Sequence, residues 1–228
     1  MSAAGYFVTG TDTGVGKTRI AVALVRALVA EGLRVAVMKP VAAGRAPGEV
    51  HEDVAALVAA SNVTADPADV NPYVFDPPIA PHIAAERCGV RIDLDIIAAA
   101  FARLAAQADV VVVEGAGGWR VPLNADEDMA DLAARLGLPV VLVVGLRLGC
   151  LSHAQLTAES IAARGLPWAG WVGNRIDPTM AEPAANLDAL VARLPTPCLG
   201  VHPYAPASED AAVPQWLHLP VAAAIDDR

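Results

Sequence analysis

Lysine is nearly absent: of sixteen basic residues, fourteen are arginine and only Lys17 and Lys39 are lysine. A compact ammonium kept at two places in a chain that otherwise uses the planar guanidinium marks both for local chemistry. Aromatic residues make up 4% and charged residues 18% of the 228, against 55% hydrophobic. That balance excludes intrinsic disorder and suits strands buried on both faces. Positive charge is short overall. A formal net charge of −9 excludes a surface that attracts nucleic acid or anionic lipid, so any anion must be bound by a local site. Long apolar runs are missing too: Leu136–Leu146 holds a Gly and a Pro and is far too short to span a bilayer. The first residues lack the basic and apolar stretches of a secretory leader, and the expected location is the cytoplasm. Cys88, Cys150 and Cys198 have neither CxxC nor Cys/His spacing, which excludes a zinc site, and they read as small buried hydrophobes.

The length implies one domain spanning residues 1–228. Strand-like runs at Tyr6–Thr9, Val35–Lys39, Val110–Glu114, Val140–Val144, Trp168–Asn174 and Cys198–Val201 are mostly continuous rather than alternating. Helical patterns lie between them at Lys17–Glu31, Glu49–Ala60, Leu94–Gln107, Met129–Leu136, Ser152–Arg164 and Ala181–Arg193. The alternation predicts an α/β fold, doubly wound, with a mainly parallel sheet and helices on both faces. Two proline-rich segments, Asn71–Pro81 and Pro195–Pro206, interrupt it and read as ordered surface excursions, while the tail Asp226-Asp227-Arg228 is expected to fray.

After the first strand comes Gly10-Thr11-Asp12-Thr13-Gly14-Val15-Gly16-Lys17-Thr18, followed by a helical pattern. Strand, glycine loop and helix in that order make a phosphate-binding loop of the P-loop NTPase type. Glycines turn backbone N–H groups inward, the helix N-terminus adds positive potential, Lys17 reaches the β/γ-phosphates and the Thr18 hydroxyl serves Mg²⁺. The spacing departs from GxxxxGK[ST], because Thr11 stands where the first glycine is usual.

Ligands of open parallel sheets bind beyond the carboxyl ends of the strands, so polar residues there carry most weight. Lys39 ends the second run and Glu114 ends Val110–Val113, directly before Gly115-Ala116-Gly117-Gly118. Glu114 is placed to complete Mg²⁺ coordination. In the next helix Glu49, Glu52 and Asp53 are equal candidates by spacing alone. Asn174-Arg175-Ile176-Asp177 is similar to the NKxD base-reading element of GTPases with Arg for Lys, and is equally a turn before Pro178. Gly149-Cys150-Leu151-Ser152-His153 follows the strand Val140–Val144, with Ser152 the expected N-cap. His153 has no nucleophile paired with it in sequence.

Together these motifs resemble the dethiobiotin synthetase family from Tyr6 to about Tyr204. The resemblance rests on Tyr6–Thr13 with Val15–Thr18, Lys39-Pro40-Val41-Ala42, Asn71-Pro72-Tyr73 with Pro81-His82-Ile83, Val113–Trp119, Leu148-Gly149-Cys150, and Ala169–Val172 with Asn174. It implies a homodimer that converts 7,8-diaminononanoate, CO₂ (or bicarbonate) and Mg-ATP into dethiobiotin, ADP and phosphate. By the same resemblance Lys39, Lys17 and Thr13 are catalytic, Thr18, Asp53 and Glu114 hold Mg²⁺, and Asp53 is preferred over Glu49 and Glu52. The nucleotide would be held by Asp12 through Thr18, by Gly115, Ala116 and Gly117, and around the base by Asn174, Arg175, His202, Pro203 and Tyr204. The substrate would meet Thr13, Lys39, Ala43 and Gly118, with Gly149, Cys150, Leu151 and Ser152 taking its carboxylate from the partner subunit. Two departures stand out: Ala43 replaces a usual Ser or Thr, and Ser152 a usual Asn.

Two other classes share the architecture. Switch ATPases of cell division or partition carry an extra lysine where this chain has Asp12, and often a basic amphipathic tail; the tail Val213–Arg228 has one basic residue and two prolines. Cobyrinate-type amidating ligases need an ammonia source, for which 228 residues leave no fused domain.

Overall fold

The computed structural model describes residues 4–46, 48–204 and 213–220. The expected frayed end at Asp226–Arg228 and half of the tail Val213–Arg228 lie outside them. Eight strands and eight helices alternate as β1 (Ala4–Gly10), α1 (Lys17–Ala30), β2 (Val35–Met38), β3 (Val41–Ala43), α2 (Glu52–Ala60), α3 (Pro67–Val70), β4 (Tyr73–Phe75) and α4 (Pro81–Arg87). They continue with α5 (Leu94–Ala105), β5 (Val110–Glu114), α6 (Met129–Leu136), β6 (Val140–Leu146), α7 (Cys150–Ala163), β7 (Trp168–Arg175), α8 (Pro183–Arg193) and β8 (Cys198–His202).

The main sheet has six strands in the order β2-β5-β1-β6-β7-β8, and every pairing in it is parallel. β2, β5 and β6 are buried at every position, which is why their sequences run Val-Val-Val rather than alternating. From β1 the chain crosses to β2 on one side, whereas β5 crosses over β1 to β6 on the other. Right-handed crossovers then set α1 on one face of the sheet and α5 through α8 on the other, while α2, within the long β2–β5 connection, packs against α1. The direction reverses between β1 and β5, and the crevice at their carboxyl ends is the switch point where ligands bind in such sheets. The phosphate loop and Glu114 both sit there.

The Asn71–Pro81 excursion is more structured than its composition predicts. β4 pairs in parallel with β3, forming a second, two-stranded sheet beside the main one. Three-residue strands carry too little sequence for a period to show. The excursion clamps Lys39 at its backbone: Lys39 N–H donates to Val70 O at 2.8 Å, and Asn71 Nδ2 donates to Lys39 O at 2.6 Å. Asp69, itself buried, accepts three bonds from Arg103 at 2.7, 2.9 and 3.1 Å and pins α3 to α5.

Three helix starts differ from expectation. α2 begins at Glu52 rather than Glu49, because His51 and not an acidic residue caps it. α7 begins at Cys150, its N-cap being Gly149 in the left-handed region at φ 96°, so Ser152 is inside the helix instead of capping it. α8 begins at Pro183. The cysteines are not uniformly buried either: Cys150 is, Cys198 is half-buried and Cys88 is exposed at the C-cap of α4.

Candidate active site

The phosphate loop wraps from the end of β1 into α1. Gly14 and Gly16 adopt φ 74° and 85°, and Gly16 is the N-cap of α1, leaving the first helical N–H groups free to meet an anion. Lys17 is buried, and its ammonium folds back onto Asp12 O at 3.2 Å. Asp12 in turn is held twice, by the Thr13 N–H at 2.7 Å and by an ion pair with Arg147 just before α7.

Next to the loop lies a charged cluster. Lys39 is 3% and Glu114 0% exposed, so neither is a solvated strand end. The Lys39 ammonium pairs with Asp53 at 2.8 Å and, more closely, with Glu114. Thr18 Oγ1 stands 2.7 Å from Asp53 Oδ1 and 2.9 Å from Glu114 Oε1. Of the acidic residues at this helix, Asp53 reaches Thr18 and Lys39, while Glu49 and Glu52 are exposed. Burial alone would lower the Lys39 pKa, but Glu114 and Asp53 outweigh it and hold it above the usual lysine value. Burial would likewise raise Asp53, yet Lys39 and Thr18 bring it below the ordinary carboxylate range. Glu114 goes the other way: complete burial pushes it up against the pull of Lys39.

Burial, followed by repulsion from Lys39, brings the Lys17 ammonium down to about 8 against the attraction of Glu114, Asp53 and Asp12. A lowered lysine pKa means the cation is present below that value and lost above it. Nucleotide affinity is therefore expected to fall by up to roughly tenfold per pH unit above the Lys17 pKa, with a proton taken up on binding there and not below it. Calorimetry in buffers of different ionisation enthalpy measures that uptake.

A cleft of about 770 Å³ joins these groups. Thr13, Ala43 and Gly117 line it with Lys17, Lys39 and Asp53, and the proline-rich turn Pro78–Pro81 forms one wall. Ala116 lines it as well, Gly115 is buried and outside its lining, and Gly118 packs against Asp12 and Gly10. Trp119 fixes this glycine run, its buried indole donating to Ser160 of α7 at 3.1 Å. Ala43 offers no hydroxyl to the cleft. His51 stands behind it: Nδ1 accepts from Asp53 N–H at 3.2 Å, while Nε2 lies 3.2 Å from Ala43 O and donates to it. His51 and Arg147 escaped the sequence reading, as did the contact of Asn71 with the Lys39 backbone. Their contacts are long-range or backbone-directed, and only the place of His51 just before Glu52-Asp53 hinted at a cap.

The remaining expected residues fall in two places. On adjacent strands Asn174 is in register with His202, both buried, with Arg175, Pro203 and Tyr204 exposed beside them. Asn174 Nδ2 donates to Val15 O at 2.8 Å, which commits its amide to the loop and leaves Oδ1 buried without a hydrogen bond. Asn174 and Arg175 end β7 and the turn follows at Pro178-Thr179, where Asp177 accepts from Thr179 N–H and Oγ1 at 2.9 and 2.7 Å, so its carboxylate is engaged locally. Gly149 and Ser152 are exposed, Leu151 is half-buried and Cys150 buried; none of the four lines the cleft. Leu148 beside them is 91% exposed.

Among the described residues no group of three or more His, Cys, Asp or Glu could hold a metal by itself, and no helix is long and apolar enough to cross a membrane.

An AAA-domain family profile matches residues 4–212. The ATP-dependent dethiobiotin synthetase of Nitrosospira multiformis is 56% identical over 200 residues, 88% of each chain. That of Aromatoleum aromaticum is 54% identical over 218 residues, 94% of this chain and 97% of its own. Among solved structures, the MinD cell division protein of Aquifex aeolicus superposes with a TM-score of 0.56 at 17% identity, covering 90% of this chain and 84% of that one. That likeness shows the shared P-loop fold.

Proposed function

The chain belongs to the ATP-dependent dethiobiotin synthetases, within the AAA-domain family, and from that premise we propose that it closes the ring of dethiobiotin from 7,8-diaminononanoate and CO₂ at the cost of one ATP. The observation that carries this reading is the buried Lys39 ammonium facing the phosphate loop across a cleft wide enough for both nucleotide and diamine.

A primary amine adds CO₂ and loses a proton to become a carbamate, which is a poor electrophile. Transfer of the γ-phosphoryl group to the carbamate oxygen releases ADP and leaves a carbamic-phosphoric anhydride. The second amine attacks its carbonyl carbon, expels phosphate and gives up a proton, closing a cyclic urea. Such a sequence needs positioning and positive charge and no covalent nucleophile. Lys17 and the free N–H groups at the start of α1 hold the phosphates, Lys39 neutralises charge on the carbamate and the transferring phosphoryl group, and Thr13 orients the diamine. Gly115 to Gly117 let backbone approach the nucleotide, and Asn174 Oδ1 accepts from the adenine amino group.

Thr18, Asp53 and Glu114 fit Mg²⁺: all offer hard oxygen donors, and Glu114 Oε2 is buried with no hydrogen-bond partner. Bound there, the ion would neutralise charge on the phosphates. Asp53→Asn is expected to raise the Mg²⁺ concentration needed for half-maximal rate, whereas Glu52→Gln should leave it unchanged; equal shifts would misplace the ligand.

The function test is incubation with labelled bicarbonate, the diamine and Mg-ATP, with acid-stable label in a cyclic urea as the expected product. ATP turnover that ignores the diamine would support a switch ATPase instead. We place the enzyme in the cytoplasm, supported by its need for ATP and its free cysteines. That none of Gly149–Ser152 lines the chain's own cleft supports a homodimer in which this helix start binds the substrate carboxylate in the partner's site. Ser152→Asp should then raise KM for the diamine alone, and mixing it with Lys17→Ala subunits should restore part of the activity. Proven heterodimers without recovery would put the carboxylate within one chain.

A further inference from the structure

Two carboxylates, Asp53 and Glu114, converge on Thr18, and the cation lodged between them is the ammonium of Lys39. Lys39 contacts Glu114 Oε1, the same oxygen that stands 2.9 Å from Thr18 Oγ1. The Thr18 hydroxyl has one proton to share between two carboxylates, so Lys39 supplies most of the compensation the pair needs. Lys39 is also held at its own backbone from both sides, by Val70 O and Asn71 Nδ2, while its side chain is long enough to swing. A divalent ion bound to Thr18, Asp53 and Glu114 would itself supply the positive charge that Lys39 now gives the two carboxylates, and two cations so close together repel strongly in a buried site.

We infer that Lys39 serves as an internal counter-ion for the metal site when nucleotide is absent, and that a divalent cation and the Lys39 ammonium compete for Asp53 and Glu114. Entry of the metal with nucleotide then expels the ammonium from the carboxylates into the cleft, toward the oxygens of the carbamate and the transferring phosphoryl group. One event both loads the site and delivers the catalytic cation. In the absence of nucleotide there is no other anion to receive Lys39, so the metal binds weakly. This goes beyond the assignment of Thr18, Asp53 and Glu114 as metal ligands and rests on it.

The test reads metal binding without turnover. Mn²⁺ is titrated into nucleotide-free protein at one fixed pH, with free Mn²⁺ followed by electron paramagnetic resonance. Lys39→Met, which keeps the aliphatic stem and removes the charge, is expected to bind Mn²⁺ about tenfold or more tighter than the unaltered protein, because no buried ammonium must be displaced. Lys39→Met that folds normally by circular dichroism yet binds Mn²⁺ no tighter overturns the inference. A second measurement uses the unaltered chain and so does not depend on that variant folding. With only two lysines, acetylation by acetic anhydride can be read residue by residue by mass spectrometry. Lys39 should be protected in the nucleotide-free protein and become several-fold more reactive when Mn²⁺ saturates it; continued protection of Lys39 with Mn²⁺ bound overturns the inference. Glu114→Gln separates the two levels of the argument. It should weaken Mn²⁺ binding sharply, and unchanged binding would remove the metal assignment itself and the competition with it. Weakened binding in Glu114→Gln without tightening in Lys39→Met would leave the ligands standing and discard only the competition.

Discussion

Lys39→Ala is expected to lower kcat by about a hundredfold or more while nucleotide affinity stays within a few-fold, as for the loss of a charge that acts mainly in the transition state. The residue is buried at the carboxyl end of β2, fixed through its backbone, and faces the loop that holds the phosphates. Lys17 is its contrast. That ammonium lies within the loop itself, so Lys17→Ala should weaken nucleotide binding directly. Single-turnover phosphoryl transfer and equilibrium nucleotide binding, measured on both variants, separate the two roles. A near-normal kcat in Lys39→Ala would remove it from the chemistry.

The second large effect is expected from the smallest substitution. Gly16→Ala places a Cβ at φ 85°, where side chains are strained, and drives it into the Asn174 amide that bonds Val15 O. Relief requires shifting either the loop or Asn174, and both serve the nucleotide. The strain corresponds to about 1–3 kcal/mol, so nucleotide affinity should fall roughly tenfold to a hundredfold. Gly14→Ala is the internal control. Its φ of 74° is also positive, but a Cβ there meets nothing within 4 Å, and only the backbone cost remains. Titration of both variants with a non-hydrolysable nucleotide checks the difference; equal losses would mean that the Asn174 contact is irrelevant.

The central sheet was legible because burial on both faces leaves an unmistakable trace: Val110–Val113 and Val140–Val144 have no polar alternation to confuse them. The phosphate loop was legible because its chemistry is local, with glycines, lysine and threonine adjacent in the chain. Lys39 and Glu114 could be singled out because each is a lone polar residue closing an apolar run. Asp53 was different. Spacing left it level with Glu49 and Glu52, and the family resemblance raised it above them; the packing of α2 against α1 brings its carboxylate, and not theirs, to Thr18 and Lys39.

The sequence by itself therefore determined the order of strands and helices, the loop that meets phosphate and the family to which the chain belongs. All of these depend on neighbours in the chain or on patterns repeated along it. Tertiary structure alone decided the small β3-β4 sheet, the clamping of the Lys39 backbone by Val70 and Asn71, the capping of α2 by His51, the pairing of Asp12 with Arg147 and the use of the Asn174 amide to brace the loop. These contacts join residues up to 159 positions apart, or direct a side chain to a backbone group, and neither kind leaves a period or a spacing to read. Whether Lys39 lies in solvent or between two carboxylates belongs to the same class: burial is a property of what packs around a residue, and the groups that hold Lys39 come from Asp53 in α2, from Val70 and Asn71 at the end of α3, and from Glu114 in β5, three segments brought together by the fold.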